Sequence, residues 1–188
     1  MIEFKHIKYF VLFSVFVILS CNHKGTEQKR TDEESDYLQL VERKINALTA
    51  RNQHLKIENQ AVYQGNDTLE ITDLKQIAES NLFFFYFSSH TCSPCIQQTV
   101  NYIKEVWPDY ENDDRITFIA SDYEPKYRQN CYGKTLVTLS KGQLGIPLEK
   151  EQVPFLFTLS DELTIENLHI VNKNDFIKTL DFLKKMNK

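Results

Sequence analysis

The residues of this chain whose types and spacing can do chemistry are Cys92 and Cys95, in the stretch Ser88-Ser89-His90-Thr91-Cys92-Ser93-Pro94-Cys95. A thiolate attacks a disulfide sulfur, so two thiols one helical turn apart can pass a disulfide to and from a partner. The pair admits three readings: a redox couple, half of a metal site, or a structural staple. The staple is weak, because closing so short a loop removes little chain entropy. A structural zinc needs about four ligands. Only one Cys-x-x-Cys is present, and His6, His23, His54, His90 and His169 show no ligand spacing. His90-x-Cys92-x-x-Cys95 does retain donors for a soft ion such as Cu(I), but no metal site is assigned.

The flanking sequence must place these thiols. Leu82 to Phe87 is continuously apolar and aromatic, the pattern of a central strand covered on both faces. After the motif, Ile96, Val100, Ile103 and Val106-Trp107 recur with helical period, and Pro108 ends the run. Cys92 therefore falls at a helix N-terminus and Cys95 inside the first turn. Unpaired N–H groups and the helix dipole favour an anion at that end, lowering the pKa of Cys92, while Cys95 is less exposed. Pro94 suits a first turn that needs no N–H. The pair divides into an attacking and a resolving thiol. His90 titrates near neutrality and is a candidate for tuning the thiolate; an exposed polar loop residue explains it equally well.

Further elements follow from pattern. Tyr37, Leu38, Val41, Ile45 and Leu48 predict a helix, read first as packed on the core and alternatively as a stalk. AVYQ and TLEI are short extended pieces around a turn at Gly65-Asn66-Asp67. Thr72 to Ser80 predicts a helix capped by Thr72. Ile116 to Ser121 predicts a strand, Tyr123 to Tyr132 a short helix or loop, and Leu136 to Leu139 a short strand. Pro154 opens a strand over 155–159, and Thr164 to Val171 pairs back on it. Lys173 to Met186 predicts a C-terminal helix with Phe176, Ile177, Leu180 and Leu183 inward. Strands alternating with helices and ending in a hairpin imply an α/β fold with a central mixed sheet flanked by helices and an N-terminal helical extension.

The N-terminus reads as an address rather than fold. Lys5 and Lys8 precede an apolar stretch, Tyr9 to Leu19, too short to span a bilayer, and Ile18-Leu19-Ser20-Cys21 resembles a bacterial lipobox. Residues 1–20 are thus expected to be a lipoprotein signal peptide and Cys21 the lipidated residue. The polar stretch 21–34 reads as a flexible tether, 35–57 as the N-terminal helix and 58–188 as the main domain. With Cys21 lipidated, three of the four cysteines remain, an odd number that excludes a disulfide framework. Cys131 is expected to be a plain thiol. A formal charge of −4 leaves no basic footprint, so nucleic-acid binding is excluded.

Phe83-Phe84-Phe85-Tyr86-Phe87, Cys92-Ser93-Pro94-Cys95 and the later Val153-Pro154-Phe155 together resemble the thioredoxin superfamily, specifically its exported TlpA/ResA-like branch. Gly145 to Ile170 is also similar to small thioredoxin-like lipoproteins of Bacteroidetes-type bacteria. The resemblance implies a thioredoxin-like fold over 58–188 and a cis Pro154 opposite the thiols. It also implies that Val153 offers backbone hydrogen bonds to an extended substrate. The activity implied is thiol–disulfide exchange with exported protein or peptide thiols, in the reducing direction. The implied setting is a lipid-anchored protein facing the periplasm, with a membrane or periplasmic electron donor. No cofactor is implied beyond the redox-active disulfide Cys92–Cys95. A rival reading keeps the fold as a non-catalytic binding or assembly module.

Two positions depart from the family pattern. His90-Thr91 stands where a tryptophan usually precedes the first cysteine, and Tyr86 stands where a buried carboxylate is usual. A peroxidase of the peroxiredoxin type is set aside because Phe85 occupies its proline position.

Overall fold

Every residue of Phe83–Ser88 (β3) is buried, because layers cover both faces of this strand. The computed structural model describes residues 33–65 and 72–187. The expected signal peptide, Cys21 and most of the tether lie outside the described residues. The chain divides into a unit 1–44 and a compact unit 45–188.

Helix α1 covers 33–52, so Glu33 and Glu34 are helical and the expected helix over 35–57 stops early. His54, with φ 68, turns the chain, and the Asn52 side chain donates to Leu48 O at 2.7 Å. Tyr37 and Leu38 of this helix are exposed. Ile45 and Leu48 do pack on the core of their unit.

The next elements are β1 (Ala61–Gln64), β2 (Thr72–Asp73) and α2 (Leu74–Ser80). Asp73, not Thr72, caps α2, accepting from Gln76 N at 2.9 Å. After β3 come α3 (Ser93–Val106), β4 (Ile116–Ser121), β5 (Val137–Leu139), β6 (Phe155–Leu159), β7 (Ile165–Ile170) and α4 (Phe176–Met186). The segments between β4 and β6 hold 3-10 turns at Pro125–Tyr127 and Pro147–Glu151 rather than a regular helix.

The seven strands form one mixed sheet in the order β2-β1-β5-β4-β3-β6-β7. β3 and β4 are parallel, joined across a sheet face by α3, while β6 is antiparallel to β3 and β7 to β6. This is a mixed α/β, thioredoxin-like arrangement. Alternation along β3 feeds two cores. Phe83, Phe85 and Phe87 meet Ile96, Val100 and Ile103 of α3 and Leu183 of α4. Phe84 and Tyr86 face Phe155, Phe157, Ile146 and Leu148 on the other side. Trp107 closes α3 with its ring 5.1 Å from Phe83.

On α4 the inward face includes Thr179 and Leu183, and Ile177 is 70% exposed, contrary to the sequence expectation. Thr179 turns inward because its hydroxyl meets the His169 ring of β7 at 2.9 Å, leaving Ile177 about 200° away around the helix.

Candidate active site

β3 delivers the chain to the thiols through a tight turn. Thr91 N donates to Ser88 O at 3.0 Å, and Ser88 N donates to Thr91 Oγ1 at 3.0 Å. Thr91 is buried, so the residue beside the nucleophile closes this turn. The signal was a local one, a Ser-x-x-Thr spacing of the kind that bonds its own backbone.

Cys92 is the N-cap of α3, with no side-chain capping bond. Its carbonyl accepts from Cys95 N at 2.9 Å and Ile96 N at 3.1 Å. Pro94 lies in the first turn, where no donor is lost. Cys92 is exposed and Cys95 buried, and both are thiols in this structure. Thr99 Oγ1 donates to Cys95 O at 2.8 Å, holding the turn that carries the inner thiol.

The electrostatics separate the two sulfurs. The Cys95 thiol, donating toward Cys92, pulls the Cys92 pKa below the ordinary thiol value; the Cys95 backbone N–H and the Lys173 ammonium act the same way. Burial pushes Cys95 up to about 11, and the Cys92 sulfur adds to the rise. The outer sulfur is the one that ionises.

Val153 and Pro154 come to this edge through strand register. Tyr86 pairs with Phe155, so one step further places Pro154 beside Phe87 and Val153 beside Ser88. Among the described residues no peptide bond is cis, so Val153–Pro154 is trans. The bend is made one residue earlier, by Gln152 at φ 54. Pro154 O accepts from Val171 N at 3.0 Å. The N–H and C=O of Val153 make no hydrogen bond among the described residues.

An open cleft of about 660 Å³ adjoins this edge, on the sheet face opposite α3. Tyr86, Ser88, His90, Asp122 and Glu149 line it. His90 is exposed there. Tyr86 donates its hydroxyl to Ser121 Oγ at 3.0 Å. Burial, and after it the Glu149 carboxylate, raise its pKa well above the ordinary phenol value, so it stays protonated. Glu149 accepts from the backbone of Leu144 at 2.8 Å, Gly145 at 2.7 Å and Ile146 at 3.0 Å. This carboxylate builds the turn leading to Gln152 and Val153. Neither Glu149 nor Lys173 stood out in the sequence: Glu149 caps the preceding turn from the third helical position without the usual serine or threonine partner, and Lys173 lies in a loop whose place beside α3 is set by the sheet.

Cys131 is half-buried, and burial raises its pKa. Its backbone pairs with Lys134, and it packs beside Tyr123 and Tyr132. Among the described residues, no three His, Cys, Asp or Glu side chains group where they could hold a metal ion.

No protein-family model matches the chain, and no curated protein is similar to it. Among solved structures it is similar to one described as a thiol:disulfide interchange protein DsbE from Chlorobium tepidum, with 13% identity and a TM-score of 0.45, over 71% of this chain and 99% of that one. It is similar to the bacterioferritin comigratory protein of Xanthomonas campestris, at 15% and 0.43, over 68% and 92%. A thiol peroxidase from Chromobacterium violaceum follows at 11% and 0.42, over 71% and 84%. With TM-scores below 0.5, these likenesses do not assign the chemistry, which rests on Cys92, Cys95 and their surroundings.

Proposed function

We propose that this chain is a thiol–disulfide oxidoreductase that reduces disulfides in exported proteins or peptides through Cys92 and Cys95. The observation that carries the reading is the division of the pair: an exposed Cys92 biased to the thiolate and a buried Cys95 held as the thiol, one turn apart at the start of α3. The Cys92 thiolate attacks one sulfur of the partner's disulfide. A Cys92–partner bond forms, the partner's own S–S bond breaks, and its other sulfur leaves as a thiolate that takes up a proton. Cys95 then loses its proton to water and attacks Cys92 Sγ. The Cys92–Cys95 disulfide forms, and the partner departs carrying two electrons more than it brought. A thiol donor in the membrane or periplasm must reduce the pair again, and no diffusible cofactor enters.

The unpaired N–H and C=O of Val153 support a partner bound as an added strand beside the thiols. The reducing direction comes from the sequence resemblance. The lipobox ending at Cys21 extends the proposal to a protein anchored by lipid and facing the periplasm.

The test is a redox titration of the full chain against glutathione and dithiothreitol buffers, with thiol state read by alkylation. A reversible couple near −270 mV supports a reductase, and one near −120 mV an oxidant. A pair that never cycles overturns the reading. In parallel, Cys95→Ser is expected to accumulate mixed disulfides with partners, and Cys92→Ser to form none.

A further inference from the structure

β3 and β7 run in the same direction, each antiparallel to β6 between them, so both leave the sheet at the edge that carries Cys92. The register Tyr86–Phe155–Ile170 continues as Val171 N donating to Pro154 O at 3.0 Å. Asn172 and Lys173 follow at once, in the loop that turns into α4. α4 packs against α3, with Leu183 in the core shared by Ile96 and Val100. The loop therefore passes on the α3 side of the sheet, at the end where α3 begins.

Lys173 is exposed, and its ammonium has no hydrogen bond or ion pair among the described residues. Asp175, the acid beside it in the loop, is occupied as the cap of α4. It accepts from Lys178 N at 3.4 Å and pairs with Lys178 Nζ at 3.2 Å. A cation without a partner among the described residues, in a loop at the end where α3 begins, is free to pair with an anion formed at that helix start. Behind the Cys95 thiol and backbone N–H, the Lys173 ammonium also lowers the Cys92 pKa, and at Cys95 it opposes the rise that burial and the Cys92 sulfur impose, in keeping with that placement.

We propose that Lys173 is a positioning residue of the couple: its ammonium stands beside the Cys92 sulfur, favours it as the thiolate, and biases the pair toward its reduced form. The proposal rests on the reading of Cys92 as the nucleophile of a redox couple. Stabilising the reduced form makes a couple more oxidising, so removing the cation moves the potential to more negative values.

The experiment compares Lys173→Gln and Lys173→Arg with the unchanged full chain. Alkylation of reduced Cys92 by iodoacetamide, a neutral reagent, is followed from pH 5 to 10. The scale of partly exposed charge pairs predicts a two- to five-fold slower reaction at pH 7 for Lys173→Gln, about the range found for such pairs, with the midpoint moved up. Lys173→Arg is expected to keep both values, and 1 M salt to shrink the difference. The potential of Lys173→Gln is expected to be more negative. If Lys173→Gln matches the unchanged protein in midpoint and potential, or if Lys173→Arg shifts as far as Lys173→Gln, the proposal fails. Alkylation needs no turnover. A pair that does not cycle therefore sinks the redox reading, while the alkylation comparison still decides the role of Lys173.

Discussion

Tyr86 of β3 reaches Ser121 of β4, two residues beyond its register partner Ile119, and the buried tyrosine hydroxyl donates to the serine oxygen at 3.0 Å. The position that carries a carboxylate in the resembling family thus carries a phenol that stays neutral. Burial of its ring removes any benefit from ionising, and the neighbouring Glu149 raises the cost further.

Tyr86→Phe removes one buried hydrogen bond and keeps the ring stacked 4.7 Å from Phe155. It is expected to destabilise the protein by about 1 kcal/mol in urea unfolding. Because Tyr86 does not titrate in the working range, the pH–rate profile of disulfide exchange is expected to be unchanged. A lost limb in that profile would give Tyr86 a proton-transfer role and refute this account.

The two thiols are expected to titrate apart. In the reduced protein one thiol reacts with iodoacetamide with a midpoint below the ordinary thiol value, and Cys92→Ser removes that phase. In the unchanged protein the Cys95 phase rises only toward pH 11, and in Cys92→Ser, where the Cys92 sulfur no longer adds to the rise, burial still holds Cys95 above the ordinary thiol value. Mass mapping of the alkylated peptides checks the assignment, and faster labelling of Cys95 would reverse the roles.

Glu149→Ala frees three backbone N–H groups that now share one carboxylate. A stability loss of about 2 kcal/mol is expected, since unpaired donors are costly. The turn feeding Gln152 and Val153 loosens, so exchange with a peptide disulfide slows. Alkylation of Cys92 by a small reagent is expected to hold its rate. A rise in the alkylation rate, the sign expected when a negative charge near a thiolate is lost, would place Glu149 in the electrostatics of the thiols instead.

His169 links β7 to α4. It is stacked 5.0 Å from Phe182 and bonded to Thr179, and burial depresses its pKa from 6.5 to about 4. Above pH 6.5 the ring is neutral folded or unfolded and contributes no pH dependence. Between pH 6.5 and 4 the unfolded chain binds the proton first, so stability falls as pH falls, by about 3 kcal/mol in total. His169→Phe keeps the stacking and is expected to flatten that part of the stability–pH curve, at the cost of the Thr179 bond. An unchanged slope in urea melts from pH 7 to 4 would show that the acid sensitivity lies elsewhere.

Much of the site was legible in local sequence, because local rules govern it. The continuous apolar run before Cys92 suits a strand covered on both faces, and the period of Ile96, Val100 and Ile103 suits a helix. These two facts place one thiol at a helix start and the other in its first turn. The strand pairing after Pro154 was equally readable from its alternation and turn.

What local pattern could not decide were the relations between distant elements. Asp73 rather than Thr72 caps α2, because the strand pairing of β2 places the cap one residue later. Ile177 faces solvent because Thr179 is drawn inward by a histidine on β7. Pro154 follows a left-handed Gln152, so the bend before β6 is made without a cis bond. The loop carrying Lys173 reaches the end of the sheet where α3 begins only after β6 and β7 are laid beside β3. A periodic pattern states which face of an element is apolar; the tertiary structure alone states which elements from distant parts of the chain come to the end of the sheet where the thiols lie.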